Sequence, residues 1–238
     1  MVTLILKGGD IMFKNFKRMI SFILLFICTL LLVSSKLVSA TTLEDSVKSE
    51  GTNIEARSAL LMEPISGKIV YEKNIDEQYA PASVTKIMTM LLTMESVDNG
   101  KISLDDKVTC SENAKKMGGS TMLLDTGEIR TVEELIKGVA IASGNDAAVA
   151  LAEYLGGTEE DFVVMMNNRA KELGMSKTTF KNCNGLPADG HVSTARDIAL
   201  MSRELLKHPK ILKYTGTYME TIAVSYTHLR AHETELHL

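Results

Sequence analysis

Ser83 and Lys86, in the string Pro81-Ala82-Ser83-Val84-Thr85-Lys86, open an apolar segment that reads as a buried helix from Ser83 to Val97. Three residues make nearly one helical turn, so the lysine amine can return to the serine oxygen. A serine at a helix start faces the positive end of the helix dipole. Its own N–H has no acceptor within the helix and is free to stabilise an oxyanion. Ile87, Met88 and Met90 supply an apolar setting. Burial there favours the neutral amine, a base able to take the serine proton. The chemistry this suggests is acyl transfer through a serine nucleophile. Alone the pattern is weak, because a capping serine followed by a surface lysine has the same spacing.

A second constellation, Ser143-Gly144-Asn145, falls at the junction of two helical segments. Gly144 would permit a sharp turn. Ser143 could relay a proton between the Lys86 amine and a leaving group, and the Asn145 amide could orient Lys86 and hold a substrate carbonyl. An ordinary interhelical turn has the same composition, so this element gains weight only beside the first.

Other polar candidates carry less. His191 follows Gly190 in a loop beside Asn184-Gly185-Leu186-Pro187, with no partner at metal or triad spacing, and is expected to serve as a structural hydrogen-bonding group. His228 and His232 stand four apart with Glu233 beside them, but they fall in a tail that reads as foreign. Cys110 and Cys183 have neither zinc-ligand spacing nor the density of a disulfide framework, and free thiols are expected. No metal and no cofactor is expected. The fourteen methionines recur at helical core positions and read as packing.

The elements that must position these groups follow from periodicity and punctuation. Ala56 to Met62 and Lys68 to Glu72 read as strands joined by a turn at Pro64, Ser66 and Gly67. Asn99-Gly100 ends the Ser83 helix. Lys107 to Cys110 and Met122 to Leu124 are short strand candidates around a loop with Gly118-Gly119. Thr131, Thr158 and Thr194 each begin a capping-box pattern, opening helices toward Ala142, Leu173 and His208. Asn145 to Leu155 is a further apolar helix, closed by Gly156-Gly157. A hairpin followed by a run of helices predicts an α+β domain with helices packed on an antiparallel sheet.

The chain of 238 residues is 45% apolar, without tryptophan, and its net charge of −4 is spread in both signs, which argues against nucleic-acid binding. Lys14, Lys17 and Arg18 precede an uncharged run from Met19 to Val33, and Val38-Ser39-Ala40 fits a cleavage site. Residues 1–40 therefore read as leader and secretory signal peptide, with Thr41 as the mature N-terminus. The run is short for a membrane span. Ile27 before Cys28 does not suit a lipoprotein signal. Met12 is the expected start, since Lys7-Gly8-Gly9-Asp10 can be written in codons that resemble a ribosome-binding site.

The two constellations together resemble the serine penicillin-recognising enzymes, which combine S-x-x-K, S-x-N and K-T-G. The flanking text resembles the D-alanyl-D-alanine carboxypeptidases among them. It includes Ala59-Leu60-Leu61-Met62, Gly67-Lys68, Ala80 to Thr89, Ser143 to Ala148, Asn184-Gly185-Leu186-Pro187 and Ser193 to Asp197. The resemblance implies a serine β-lactamase/DD-peptidase-like fold, here incomplete on its C-terminal side. It implies Ser83 as acylated nucleophile, Lys86 as general base, and Ser143 with the substrate-binding Asn145 as the second wall. The reaction implied removes the terminal D-alanine from peptidoglycan stem peptides, with β-lactams as covalent inhibitors. Location outside the cytoplasmic membrane follows, with membrane association only through a C-terminal anchor absent from this sequence.

Two departures qualify the resemblance. No K-T-G occurs; Lys177-Thr178 continues with Thr179, and the family motif would fall past Leu238. Residues 224–238 hold three of the five histidines and resemble a translated sequencing-library adapter, so residues 41–223 are expected as a partial catalytic domain followed by a non-native tail. Two rivals stand beside this reading. A non-catalytic wall-binding protein would suit the missing motif. A class A β-lactamase would need a deacylating glutamate, and Met175 to Val192 contains none.

Overall fold

Strand β1 (Ala59–Met62) pairs antiparallel with β2 (Ile69–Lys73), with a register shift between Leu61 and Met62. The turn between them forms because the Glu63 carboxylate accepts the backbone N–H groups of Ile65 (3.0 Å) and Ser66 (2.5 Å). These strands open a computed structural model that describes residues 54–222. The expected signal peptide, the Thr41 terminus and the tail with His228 and His232 lie outside the described residues.

A 3-10 turn, Ala82–Thr85, runs directly into helix α1 (Lys86–Asp98). There follow β3 (Lys107–Thr109), α2 (Glu112–Lys115), β4 (Ile129–Thr131), α3 (Val132–Ala142), α4 (Asn145–Gly156), α5 (Glu159–Glu172), α6 (Ala195–Leu205) and α7 (Ile211–Thr215). Helix α4 is buried from Asn145 to Ala152 without interruption, which makes it the central rod of the cluster. Helices α1, α2, α3 and α5 pack on it. The outer helices bury one stripe each: Val132, Leu135, Ile136 and Val139 on α3, and Phe162, Met166 and Ala170 on α5. Burial of each large apolar side chain contributes about 1.5–3 kcal/mol. Helix α6 packs on α1 and carries the β1–β2 hairpin on its other side. Arg203 of α6 grips the hairpin turn, donating to the carbonyls of Pro64 and Ile65, each at 2.7 Å.

The α+β class and the order of the long elements are as expected. The strands, however, form two separate two-stranded sheets among the described residues, β1–β2 and β3–β4. Met122 to Leu124 is not a strand. The N–H groups of Met122 and Leu124 donate instead to the buried Asp146 carboxylate at 2.9 and 3.0 Å, and Leu123 is left-handed (φ 61°). The partner of β3 is β4, joined at Val108 and Arg130. Of the three capping boxes, only that of Thr131 and Glu134 is complete. At Thr194 the hydroxyl still accepts the Asp197 N–H, but the Asp197 carboxylate turns to the Lys177 N–H and the Thr178 hydroxyl. No described helix is long and apolar enough to cross a membrane.

Candidate active site

Ser83 is exposed and Lys86 is buried, although they share one turn of chain. The 3-10 turn accounts for the contrast. It presents Ser83 at the surface and delivers Lys86 to the first residue of α1, whose following residues Met88, Leu91 and Met94 are core. Lys86 Nζ donates to Ser83 Oγ at 3.1 Å and to the Asn184 carbonyl at 2.8 Å. Burial lowers the Lys86 pKa from the usual 10.5 to about 8. An amine at that value is neutral in an appreciable fraction near pH 7. Once neutral, the amine can rotate to offer its lone pair to the serine hydroxyl while the Asn184 carbonyl still holds one N–H.

The backbone around the serine is held in an uncommon state. Ala82, the residue before it, has φ 47°, a left-handed conformation that costs a non-glycine residue about 1–3 kcal/mol and persists only where the surroundings impose it. The Ser83 N–H donates to no acceptor among the described residues. It is therefore available to a developing oxyanion. Gly185 packs against the Ala82–Ser83 peptide so closely that a Cβ on it would stand 1.9 Å from the Ala82 oxygen and 3.0 Å from the Ser83 nitrogen. Its φ of 89° also suits glycine.

Ser143 and Asn145 sit at the α3–α4 junction as expected, yet among the described residues they make no hydrogen bond to the Ser83–Lys86 pair. The Ser143 hydroxyl is half-buried and has no hydrogen-bond partner among the described residues. Asn145 Nδ2 donates to the Gly118 carbonyl at 2.7 Å, and its backbone N–H to the Ser120 carbonyl at 2.7 Å. Its amide thus holds the 117–120 loop, with no hydrogen bond to Lys86 among the described residues. The same loop reaches toward the lysine side, because Asn184 Nδ2 contacts Met117 Sδ at 3.5 Å. The sharp turn is also made differently. Ser143 takes the left-handed conformation (φ 53°, ψ 35°), while Gly144 is at φ −59°. Space at 144 is tight, since a Cβ would meet Asp146 Oδ1 at 3.1 Å and the Gly138 oxygen at 3.3 Å.

His191 has the structural hydrogen-bonding place expected of it, with Nε2 2.8 Å from Thr85 Oγ1. Cys110 and Cys183 are free and buried, and burial pushes both thiols above their ordinary range. The Asn184 carbonyl was not found by sequence reasoning as a partner of Lys86. A main-chain oxygen has no residue-type signature, and only the turn string Asn184-Gly185-Leu186-Pro187 marked the place.

A family model described as D-alanyl-D-alanine carboxypeptidase matches residues 44–237, a span that runs through most of the tail set apart above. The chain is 52% identical over 202 residues to the D-alanyl-D-alanine carboxypeptidase DacF of Bacillus subtilis, covering 85% of this chain and 51% of that protein. It thus spans about half the length of that curated relative. Among solved structures it resembles the D-alanyl-D-alanine carboxypeptidase DacD from Francisella tularensis, with TM-score 0.68 and 37% identity over 73% of this chain and 44% of that one. It also resembles penicillin-binding protein D2 from Listeria monocytogenes in an ampicillin-bound form, with TM-score 0.62 and 36% identity over 70% of this chain and 68% of that one.

Proposed function

We propose, from the premise that this chain belongs to the D-alanyl-D-alanine carboxypeptidase family, that it is the nucleophile-bearing part of a serine carboxypeptidase acting on the D-alanyl-D-alanine end of peptidoglycan stem peptides. The observation that carries this is an exposed Ser83 hydroxyl 3.1 Å from a buried Lys86 amine whose pKa is lowered to about 8. Ser83 Oγ would attack the carbonyl between the two terminal D-alanines while its proton passes to Lys86 Nζ. The oxyanion would face the Ser83 N–H. Collapse breaks the peptide bond, and the departing amine takes a proton from Lys86, with Ser143 as the candidate relay. Water, deprotonated by Lys86, then cleaves the acyl-serine ester. Asn145 would line the substrate side once its bond to Gly118 is exchanged. A β-lactam carbonyl would accept the same attack, in keeping with the ampicillin-bound form of the Listeria relative.

A buried amine beside an exposed serine favours an enzyme over a wall-binding protein, because holding a stem peptide requires no base. Export by a signal over residues 1–40 and action outside the cytoplasmic membrane belong to the same reading. N-terminal sequencing of secreted protein is expected to start at Thr41. The function is tested by labelling with a fluorescent penicillin, using the protein encoded at the source locus. Ser83→Ala is expected to abolish labelling, and persistence of label in that variant would refute the assignment.

A further inference from the structure

One stretch of chain, residues 182–191, grips the Ser83–Lys86 turn at successive points. The Cys183 carbonyl accepts the Thr89 hydroxyl at 2.6 Å, the Asn184 carbonyl accepts Lys86 Nζ at 2.8 Å, and Gly185 backs the Ala82–Ser83 peptide. His191 closes the series at Thr85. The stretch is anchored beyond its end, where the Tyr79 and Ser193 backbones exchange two hydrogen bonds at 2.9 Å and Thr179 pairs with Val192.

We propose that His191 is a positioning residue for acylation at Ser83: through Thr85 it holds the turn that aims Lys86 at the serine oxygen. The inference rests on the carboxypeptidase reading above. Thr85 and His191 are both buried, at 0% and 4% exposure. The Lys181 N–H donates to His191 Nδ1 at 3.2 Å, so a neutral ring carries its proton on Nε2 and donates it to Thr85 Oγ1. Burial lowers the His191 pKa and keeps that form. The ring is braced edge-on by Phe180, with centroids 5.9 Å apart at 75°. Thr85 is the telling partner. Thr131, Thr158 and Thr194 each precede a helix, and each turns its hydroxyl inward to accept a backbone N–H of that helix. Thr85 also precedes α1, but it is itself helical (φ −48°, ψ −37°), the last residue of the 3-10 turn, and makes no such cap. Its hydroxyl goes sideways to His191 instead. The entry to α1 is therefore fixed from outside the helix, at the residue between nucleophile and base.

The test compares Thr85→Val, Thr85→Ser, His191→Phe, His191→Gln and the double variant Thr85→Val/His191→Phe with the unaltered protein. Two readouts are used: the limiting rate of Ser83 acylation by a fluorescent penicillin, and the titration midpoint of Lys86 followed by NMR of 13C-labelled lysine. Thr85→Val and His191→Phe are expected to slow the limiting rate about tenfold, the effect of one lost buried hydrogen bond, with little change in the half-saturating concentration. The Lys86 midpoint should move up from about 8 as water reaches the amine. The double variant should be no slower than the slower single, because one bond is removed in all three. Thr85→Ser and His191→Gln, which keep a donor–acceptor pair, should stay near the unaltered protein. If His191→Phe fails to fold, the Thr85→Val and Thr85→Ser pair decides. An unchanged rate and an unchanged Lys86 midpoint in folded Thr85→Val overturn the inference while Ser83 labelling still stands. Movement of the Lys86 midpoint with no form labelled at Ser83 upholds the hold on Lys86 and sinks the carboxypeptidase reading.

Discussion

Lys86 is lowered chiefly by loss of hydration, which places its titration inside the range where an enzyme assay can follow it. In the proposed reaction the amine must be neutral to accept the Ser83 proton. Below about pH 8 the amine is mostly protonated, so the acylation rate is expected to climb about tenfold per pH unit and to level above that value. A stopped-flow pH profile with a β-lactam checks this, and a flat profile between pH 6 and about 8 would contradict the role of Lys86. Lys86→Arg keeps the charge but cannot deprotonate in this range. It is expected to lose about 100-fold or more in limiting rate, the scale of a general base, with the thermal midpoint checked alongside to separate chemistry from folding. The residue pair was legible in sequence because a helical spacing of three is short-range. The Asn184 carbonyl and the Thr85–His191 bond were not, since their partners lie 98 and 106 residues apart.

At the scale of elements, the loop 182–187 and the turn 82–85 are expected to behave as one unit, because Gly185 packs against the Ala82–Ser83 peptide. Gly185→Ala tests this, because its Cβ would overlap the Ala82 carbonyl, a backbone group that cannot rotate away. We expect a loss of about 1–3 kcal/mol in urea unfolding together with slowed Ser83 labelling. Stability loss with labelling untouched would mean the loop supports the fold but not the turn. Helix α3 gives a contrasting case at its N-terminal end, opposite Ser143. Thr131→Ala removes a complete capping box and is expected to cost about 1 kcal/mol with no effect on labelling. Helix starts marked by threonine were legible, since the cap is read from neighbouring residues. The partner of β3 was misread, because an extended-looking Met122-Leu123-Leu124 is bent around a carboxylate that the sequence places 22 residues on from Leu124.

Across the whole molecule, α4 is the element on which the others depend. Leu151 is fully buried there among helices from both sides. Leu151→Ala is expected to destabilise by about 2–5 kcal/mol, measured by denaturant unfolding. A value below about 1 kcal/mol would show that the cluster can collapse into the space left behind.

The sequence by itself determined the long helices, the first hairpin, the Ser83–Lys86 pair and, by resemblance, the family. Periodicity, caps and a spacing of three are local properties, set by the geometry of a few consecutive residues. Tertiary structure alone decided that Asn145 holds Gly118, that Ser143 rather than Gly144 takes the left-handed turn, and that residues 182–191 lock the nucleophile's turn. Those outcomes depend on which distant backbone groups arrive beside a side chain, and hydrogen bonds to main-chain atoms leave no mark in residue type.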